Sequence, residues 1–439
     1  TEYAEELDIL PKFQFGFRRN RSTTGAAALL HEIIFSRLQK SQRTYCAFVD
    51  FSKAFDSIDR ELLFKKLQLL GIPFQFCQIL HNVWNQMKSF MKFGLKFSLP
   101  FTFGVPQGDV ISAILFALFI ADLPSFLLNA GPEINLDYIA CIIVYILFAD
   151  DLALIASSAE QLQHQLNALQ KYCELNRLMV NIKKTKIMIF HRGRLPNCDL
   201  QFIFRYKDLP IERVNSFVYL GFTFSQQLSF TLHIEKMVAK ARSRIAVLSR
   251  QVNLKMLNLE VTLKLFYVYI FPIFRYGLPI WLSSQSQSVL NSVNALFTKY
   301  LKTYLGLPMH TNNSIVHYLT ETSPLVNQLR SLAPSFSNGL SFPSCLQGLQ
   351  LNILRDVTEP PLYNPIPNIP TTFWGSKMYQ TLPSNYRMRR LLCRDIVDMI
   401  HFEICVNKKF HISPESSCLC QLCGQVAHSY HHYNCSSYE

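Results

Sequence analysis

Two aspartates stand side by side in an apolar run, "ILFADDLALIA", residues 146–156. Adjacent carboxylates repel each other and resist burial. A chain that puts Asp150 and Asp151 there must offset that cost. A divalent cation held between the carboxylates and a phosphate would do so. Mg²⁺ takes oxygen ligands and usually binds through one or two carboxylates plus substrate phosphates. Two such ions, about 3.5–4 Å apart, clamp the attacking and leaving oxygens of an in-line displacement. A site of this kind needs a further carboxylate from elsewhere. "TYCAFVDF", residues 44–51, reads as a buried strand with Asp50 at its end, which makes Asp50 the candidate. Taken alone, the pair is better read as ordinary turn residues, so the rest of the chain decides.

After Asp50 a helix is predicted, with Asp59 as its N-cap, Leu62, Leu63, Leu67 and Leu70 as its stripe and Gly71 as its stop. Residues 139–156 read as two strands with the aspartate pair at their turn. Ser157 and Glu160 then match a capping box, and Leu162, Leu166, Leu169 and Cys173 share one helical face. "TKIMIF" (185–190) and "FVYLGFTFS" (217–225) read as strands. From Thr231 the period is helical, with Ile234, Val238, Ala241, Ile245 and Leu248 in phase. This order gives an α+β core followed by an α-helical unit. Residues 333–370, rich in Pro and Ser, read as a linker.

At 49% hydrophobic residues over 439 positions the chain has ample material for two to four structural units. A mean hydropathy of +0.13 argues against disorder. Lys and Arg outnumber Asp and Glu by 43 to 30, a net charge of +13. Such an excess favours a polyanionic partner, nucleic acid before membrane, with a solvated basic surface as the alternative. The basic residues gather in "FRRNRS" (17–22), "NIKKTK" (181–186), "KMVAKARSR" (236–244) and "YRMRRLLCR" (386–394). The apolar runs Val110 to Ala121 and Tyr138 to Ala149 fall short of the about 20 residues a membrane span takes and read as core. The acidic, polar N-terminal stretch does not resemble a signal peptide. Of the twelve cysteines, Cys418, Cys420, Cys423 and Cys435 crowd the C-terminal end, a pattern that favours metal over disulfides.

Five segments occur in order: "FVDFSKAFDSIDRELL" (48–63), "GVPQGDVISAILFALFIADL" (104–123), "FADDLALIA" (148–156), "NIKKTKIMIF" (181–190) and "VNSFVYLGFTF" (214–224). They resemble the successive palm motifs of the reverse transcriptases of non-LTR retrotransposons, LINE-type and Jockey-like. "QFGFRRNRSTT" (14–24) is similar to the family's fingers motif. "RYGLPIW" (275–281) and "YLGLP" (304–308) are similar to its thumb segments. The resemblance implies a right-hand polymerase fold, divided as partial fingers (1–43), palm (44–225), helical thumb (226–310), linker and connection region (311–411) and a zinc-knuckle-like tail (412–439).

The resemblance also implies roles. Asp50 and Asp150 would hold two Mg²⁺ ions, assisted by Asp151 and the carbonyl of Phe51. Phe55 matches the steric-gate position that selects deoxynucleotides; read without that resemblance it is a packed core aromatic. Gly104, Gln107 and Gly108 would form the loop supporting template and incoming nucleotide. Lys184 would contact the triphosphate or primer, with Lys186 nearby. Gly221 would shape the primer-grip hairpin, and Arg18, Arg19 and Arg21 would meet template phosphates. In the tail, Cys420, Cys423, His431 and Cys435 would bind Zn²⁺, with Cys418 spare and His428 the rival histidine. The implied partners are an RNA template, a DNA primer or target and deoxynucleotides, with no membrane, and the implied place of action is the nucleus. Oligomeric state is not legible.

Three departures stand out. Asp109 follows "GVPQG" where the family has serine, an extra carboxylate expected to weaken phosphate binding. Gly25 replaces an acidic residue after "RSTT". Relative to the family pattern the chain reads as a fragment without the endonuclease or the first fingers motif. A catalytically inactive nucleic-acid-binding remnant is therefore the alternative to an active polymerase. A viral RNA-dependent RNA polymerase fits less well, because Phe55 and "FADD" point to deoxynucleotides.

Overall fold

The computed structural model describes residues 2–6, 9–86, 88–93, 95–100, 104–106, 109–128, 144–282 and 287–338, together with 418–419 and 426–427. Two compact units emerge, divided between His233 and Ile234, with Ile234–Leu278 and Gln285–Pro334 in the second. The palm–thumb boundary expected after residue 225 lies a few residues before that division.

The first unit is built on a four-stranded antiparallel sheet. Its strands are β1 (Thr44–Val49), β2 (Tyr145–Phe148), β3 (Asp151–Ala156) and β4 (Lys186–Phe190), in the order β2-β3-β1-β4. The register runs Tyr45↔Ala156 to Val49↔Leu152 between β1 and β3, and Thr44↔Phe190 to Phe48↔Lys186 between β1 and β4. Every residue of β1 is buried. An apolar run that does not alternate is what a strand covered on both faces requires. The helices α1 (Thr23–Gln39), α2 (Arg60–Leu69), α3 (Val110–Phe119) and α4 (Ala159–Leu175) belong to the same unit, with α1 and α4 packed on the sheet.

Local signals explain where these helices begin. The Asp59 side chain accepts the Leu62 N–H at 3.0 Å, as expected, and Leu63 and Leu67 are buried beneath it. Helix α4 needs a correction of one residue. Its N-cap is Ser158, whose hydroxyl accepts the Gln161 N–H at 3.1 Å. Gln161 reaches back to accept both the N–H and the O–H of Ser157, at 2.8 and 2.7 Å. Glu160, in the first turn, is not the reciprocating residue. The face of Leu162, Leu166, Leu169 and Cys173 is buried as its period demands.

The window Ile111–Leu128, with mean hydropathy 2.2, is long and apolar enough by composition to cross a membrane, longer than the run counted from the sequence. The chain turns between α3 and the short helix Leu123–Leu128, and Leu115 to Ile120 are buried inside the unit.

Helix α5 (Thr231–Gln251) begins at the end of the first unit. The second unit contains α6 (Leu259–Tyr269), α7 (Gln287–Leu305) and α8 (Asn313–Leu319). Phe266 packs its ring 4.6 Å from Phe297, and the Tyr300 hydroxyl donates to the Thr262 carbonyl at 2.8 Å. His317 lies between the hydroxyls of Thr298 and Thr322, each at 3.1 Å. Burial, then the charge of Lys302, pushes its pKa down to about 4. The segment 339–417, which holds most of the expected linker, lies outside the described residues.

Candidate active site

Strand β1 ends one residue before Asp50. The Asp50 N–H donates to Thr185 Oγ1 at 3.3 Å, and its carbonyl accepts the Asn181 N–H at 2.8 Å. Continuing the Val49↔Leu152 register by one residue sets Asp50 opposite Asp151, the first residue of β3. Neighbouring strands lie about 4.8 Å apart. Asp150 occupies the turn between β2 and β3. One end of the sheet therefore carries three carboxylates.

Their electrostatics show the crowding. The pKa of Asp151 is pushed up to about 6, first by desolvation and then by the charges of Asp150 and Asp50. That of Asp150 is raised by desolvation and by Asp50, against a backbone hydrogen bond that lowers it. A bound cation would reverse both penalties. Among the described residues no group of three or more His, Cys, Asp or Glu side chains stands ready to hold a metal ion. An open set of carboxylates at a sheet end instead suits Mg²⁺, which completes its shell with water and substrate phosphate. Lys184 sits at the rim, its Nζ 3.8 Å from Asp50 Oδ2.

The turn that carries Asp150 is held from a distant part of the chain. Ala149 has a left-handed backbone, φ +56°. Its N–H donates to Gln14 Oε1 at 3.0 Å, and the same oxygen accepts the Gly16 N–H at 2.9 Å. Residues 13–15 lie alongside β2 as a parallel bridge. The Phe15 N–H donates to the Leu147 carbonyl at 2.7 Å, and the Leu147 N–H to the Phe13 carbonyl at 2.9 Å. A Cβ on Gly16 would stand 2.3 Å from the Ala149 nitrogen, so no side chain fits. In the sequence this segment stands out for its arginines, not for Gln14 or Gly16. Only the glycine set between two phenylalanines hinted at a close approach.

A second wall joins two motifs. The Val105 N–H donates to the Phe55 carbonyl and the Gly104 N–H to the Ile58 carbonyl, both at 2.9 Å. Arg60 Nε donates to the Gly104 carbonyl at 2.8 Å while its guanidinium lies 4.9 Å from the Trp84 ring. Gly104 has φ +74°, and a Cβ there would meet the Asp56 backbone at 2.7 Å. Phe55 is half-buried, its ring 5.0 Å from that of Phe116. Gln107 and Gly108 lie outside the described residues.

Phe51 is buried and bridges Val180. Leu220 and Gly221, with φ +47° and +84°, turn the hairpin Ser216–Tyr219/Phe222–Ser225. That hairpin stacks Phe217 on Phe48 of β1 at 4.5 Å. The Tyr219 hydroxyl is buried, its pKa raised by desolvation and, secondarily, by the charge of Asp151. Among the fingers arginines, Arg18 faces inward. It pairs with Glu5 and donates to the Pro11 carbonyl at 2.9 Å. Those donors are engaged within the protein. Arg21 lies over the Phe15 ring at 5.2 Å, and Arg19 is exposed. Asp109 caps α3, accepting the Ile111 N–H at 3.2 Å, which gives the unexpected carboxylate a local task. Cys420, Cys423, His431, Cys435 and the rival His428 lie outside the described residues.

Comparison with known proteins bears on the first unit. The family described as "Reverse transcriptase (RNA-dependent DNA polymerase)" matches residues 3–224. The probable RNA-directed DNA polymerase from transposon BS of Drosophila melanogaster is 26% identical over 323 residues, covering 71% of this chain and 34% of that protein. The RNA-directed DNA polymerase from mobile element jockey of the same species is 24% identical over 342 residues, covering 76% and 36%. The chain thus spans about a third of the length of these relatives. Among solved structures, apo telomerase from Candida tropicalis aligns at 12% identity and a TM-score of 0.37, over 80% of this chain and 60% of that one, too distant to carry an argument.

Proposed function

Since the chain belongs to the reverse transcriptase (RNA-dependent DNA polymerase) family, we propose that its first unit is an RNA-directed DNA polymerase core that extends a DNA primer on an RNA template. The observation that carries this reading is the meeting of Asp50, Asp150 and Asp151 at one sheet end, where desolvation first and neighbouring like charges second raise the pKa values of Asp150 and Asp151. Two Mg²⁺ ions, when bound, would lower the pKa of the primer 3′-hydroxyl and stabilise the departing pyrophosphate.

Asp50 and Asp150 are the residues to hold them, with the Phe51 carbonyl on the same strand end and Asp151 at the margin. Lys184, beside Asp50, meets the triphosphate or the primer. Phe55 lies five positions after Asp50 and is only half-buried, which supports a ring that bars a ribose 2′-hydroxyl. The loop of Gly104, Gln107 and Gly108 supports template and incoming nucleotide, and the hairpin at Gly221 holds the primer end. Arg19 and Arg21, on the same fingers segment, meet template phosphates. In the tail, Cys420, Cys423, His431 and Cys435 form a zinc knuckle that grips nucleic acid.

The test is primer extension by the full chain on homopolymer RNA with deoxynucleotides and Mg²⁺. Wild type should extend, and Asp150→Asn should lose extension by about 10³-fold or more while RNA binding stays near wild type. Retained extension in Asp150→Asn sinks the metal assignment. RNA binding with no extension by the wild type makes the chain a nucleic-acid-binding remnant.

A further inference from the structure

We propose that Gln14, in the fingers segment, is a positioning residue for the catalytic turn: its side-chain oxygen holds the backbone of Ala149 in the left-handed conformation that sets Asp150. The inference rests on the polymerase reading for its functional consequence, but its geometry stands alone. Ala149 immediately precedes Asp150 and has φ +56°, a region that L side chains rarely adopt and that persists only where the surroundings fix it. Ala149 is buried, so its N–H must find a protein partner or remain unsatisfied. That partner is Gln14 Oε1, 3.0 Å away and 135 residues distant in sequence.

Three further observations single out the oxygen. It also accepts the Gly16 N–H at 2.9 Å, so one atom ties the fingers strand and the turn together. Gln14 is fully buried, and its Nε2 has no hydrogen-bond partner among the described residues. An amide buried with its nitrogen unbonded is placed for what its oxygen does. Finally, Gly16 leaves no space between its backbone and the Ala149 nitrogen, so the segment cannot withdraw without releasing the turn. Gln14 touches no reacting atom; it acts through Ala149.

The experiment uses the full chain and two substitutions, singly and together. Gln14→Met keeps the length and removes the acceptor. It should lower kcat for primer extension by about 10- to 100-fold while the nucleotide KM moves by no more than about 3-fold, the signature of a displaced catalytic group and intact substrate binding. Ala149→Gly added to Gln14→Met should recover much of the loss, because glycine enters the left-handed region without steric cost and needs no tether. A purely structural role for Gln14 predicts no such recovery. In parallel, amide hydrogen exchange of a peptide covering residues 145–151 should quicken in Gln14→Met, with no nucleic acid or metal present. Wild-type kcat in Gln14→Met, a loss that merely follows the melting temperature, or unchanged exchange overturns the proposal. If the wild type itself extends no primer, the polymerase reading fails, and the exchange measurement still decides whether Gln14 holds the turn.

Discussion

Asp151→Asn removes one of three like charges and, in the absence of metal, should make the protein more stable. The Asp151 carboxyl has its pKa raised from 3.8 to about 6 in the folded chain, by desolvation first and by Asp150 and Asp50 next. A raised carboxyl pKa means that the folded state binds the proton more readily than the unfolded state. The penalty is therefore absent below the unfolded value, grows between the two values and is complete above the folded one. The difference between 3.8 and about 6 would correspond to about 3 kcal/mol at full strength. Asp151 is exposed, and solvent screening reduces this to about 1 kcal/mol. In a domain of roughly 150–250 residues that shifts the melting temperature by about 2–4 °C. Thermal melts with chelator should show the variant above wild type by that amount near pH 8 and close to it near pH 4.5. Saturating Mg²⁺ should reverse the order, since a cation that binds only the folded carboxylates stabilises the wild type more. A variant less stable than wild type near pH 8 with chelator would falsify the reasoning, as would a difference that ignores pH.

Other outcomes follow from the neighbouring residues. Phe55→Val should raise ribonucleotide incorporation relative to deoxynucleotide by about 10-fold or more, measured by single-nucleotide extension; an unchanged ratio in an active variant returns Phe55 to the core beside Phe116. Gly104→Ala should cost about 2 kcal/mol or more in a urea melt, because its Cβ meets the Asp56 backbone at 2.7 Å in a left-handed conformation. The full chain should take up one equivalent of Zn²⁺ through its tail, and Cys423→Ser should lose most of that affinity by metal titration, with polymerase activity surviving mild chelation of the zinc.

Much of the scaffold was legible because its signals are local. The unbroken apolar runs of the strands within 44–51 and 139–156, the Asp59 cap and the Leu162 face each follow from a few adjacent residues. The placement of Asp50 and Asp150 at a strand end and a turn was legible for the same reason. What escaped depends on long-range partners. The bond from Gln14 to Ala149 spans 135 residues and leaves no periodic trace. The inward turn of Arg18 depends on Glu5, a pairing no spacing rule announces. Asp109 looks in the sequence like an intrusion beside the template, and it caps a helix, because cap chemistry and active-site chemistry use the same side chain. The one-residue error at Ser157 arose because two consecutive serines both precede the helix, and only the bonds of Gln161 distinguish them.

The parallel bridge at Leu147 has a counterpart on the other side of the sheet. There Ile187 of β4 donates to the Glu212 carbonyl and accepts from the Val214 N–H, each at 2.9 Å, with Arg213 as its bridge partner. Among the described residues each outermost strand is thus met by a short clip. An open flank of "YILF" or "KIMIF" would present unpaired amides and carbonyls along an apolar strand, which is a template for pairing between molecules. Residues 13–16 and 212–214 occupy part of that flank. Truncation that removes either clip should therefore appear first as aggregation on expression, before any change in chemistry is measurable, and a soluble-yield assay of truncated chains reads that directly.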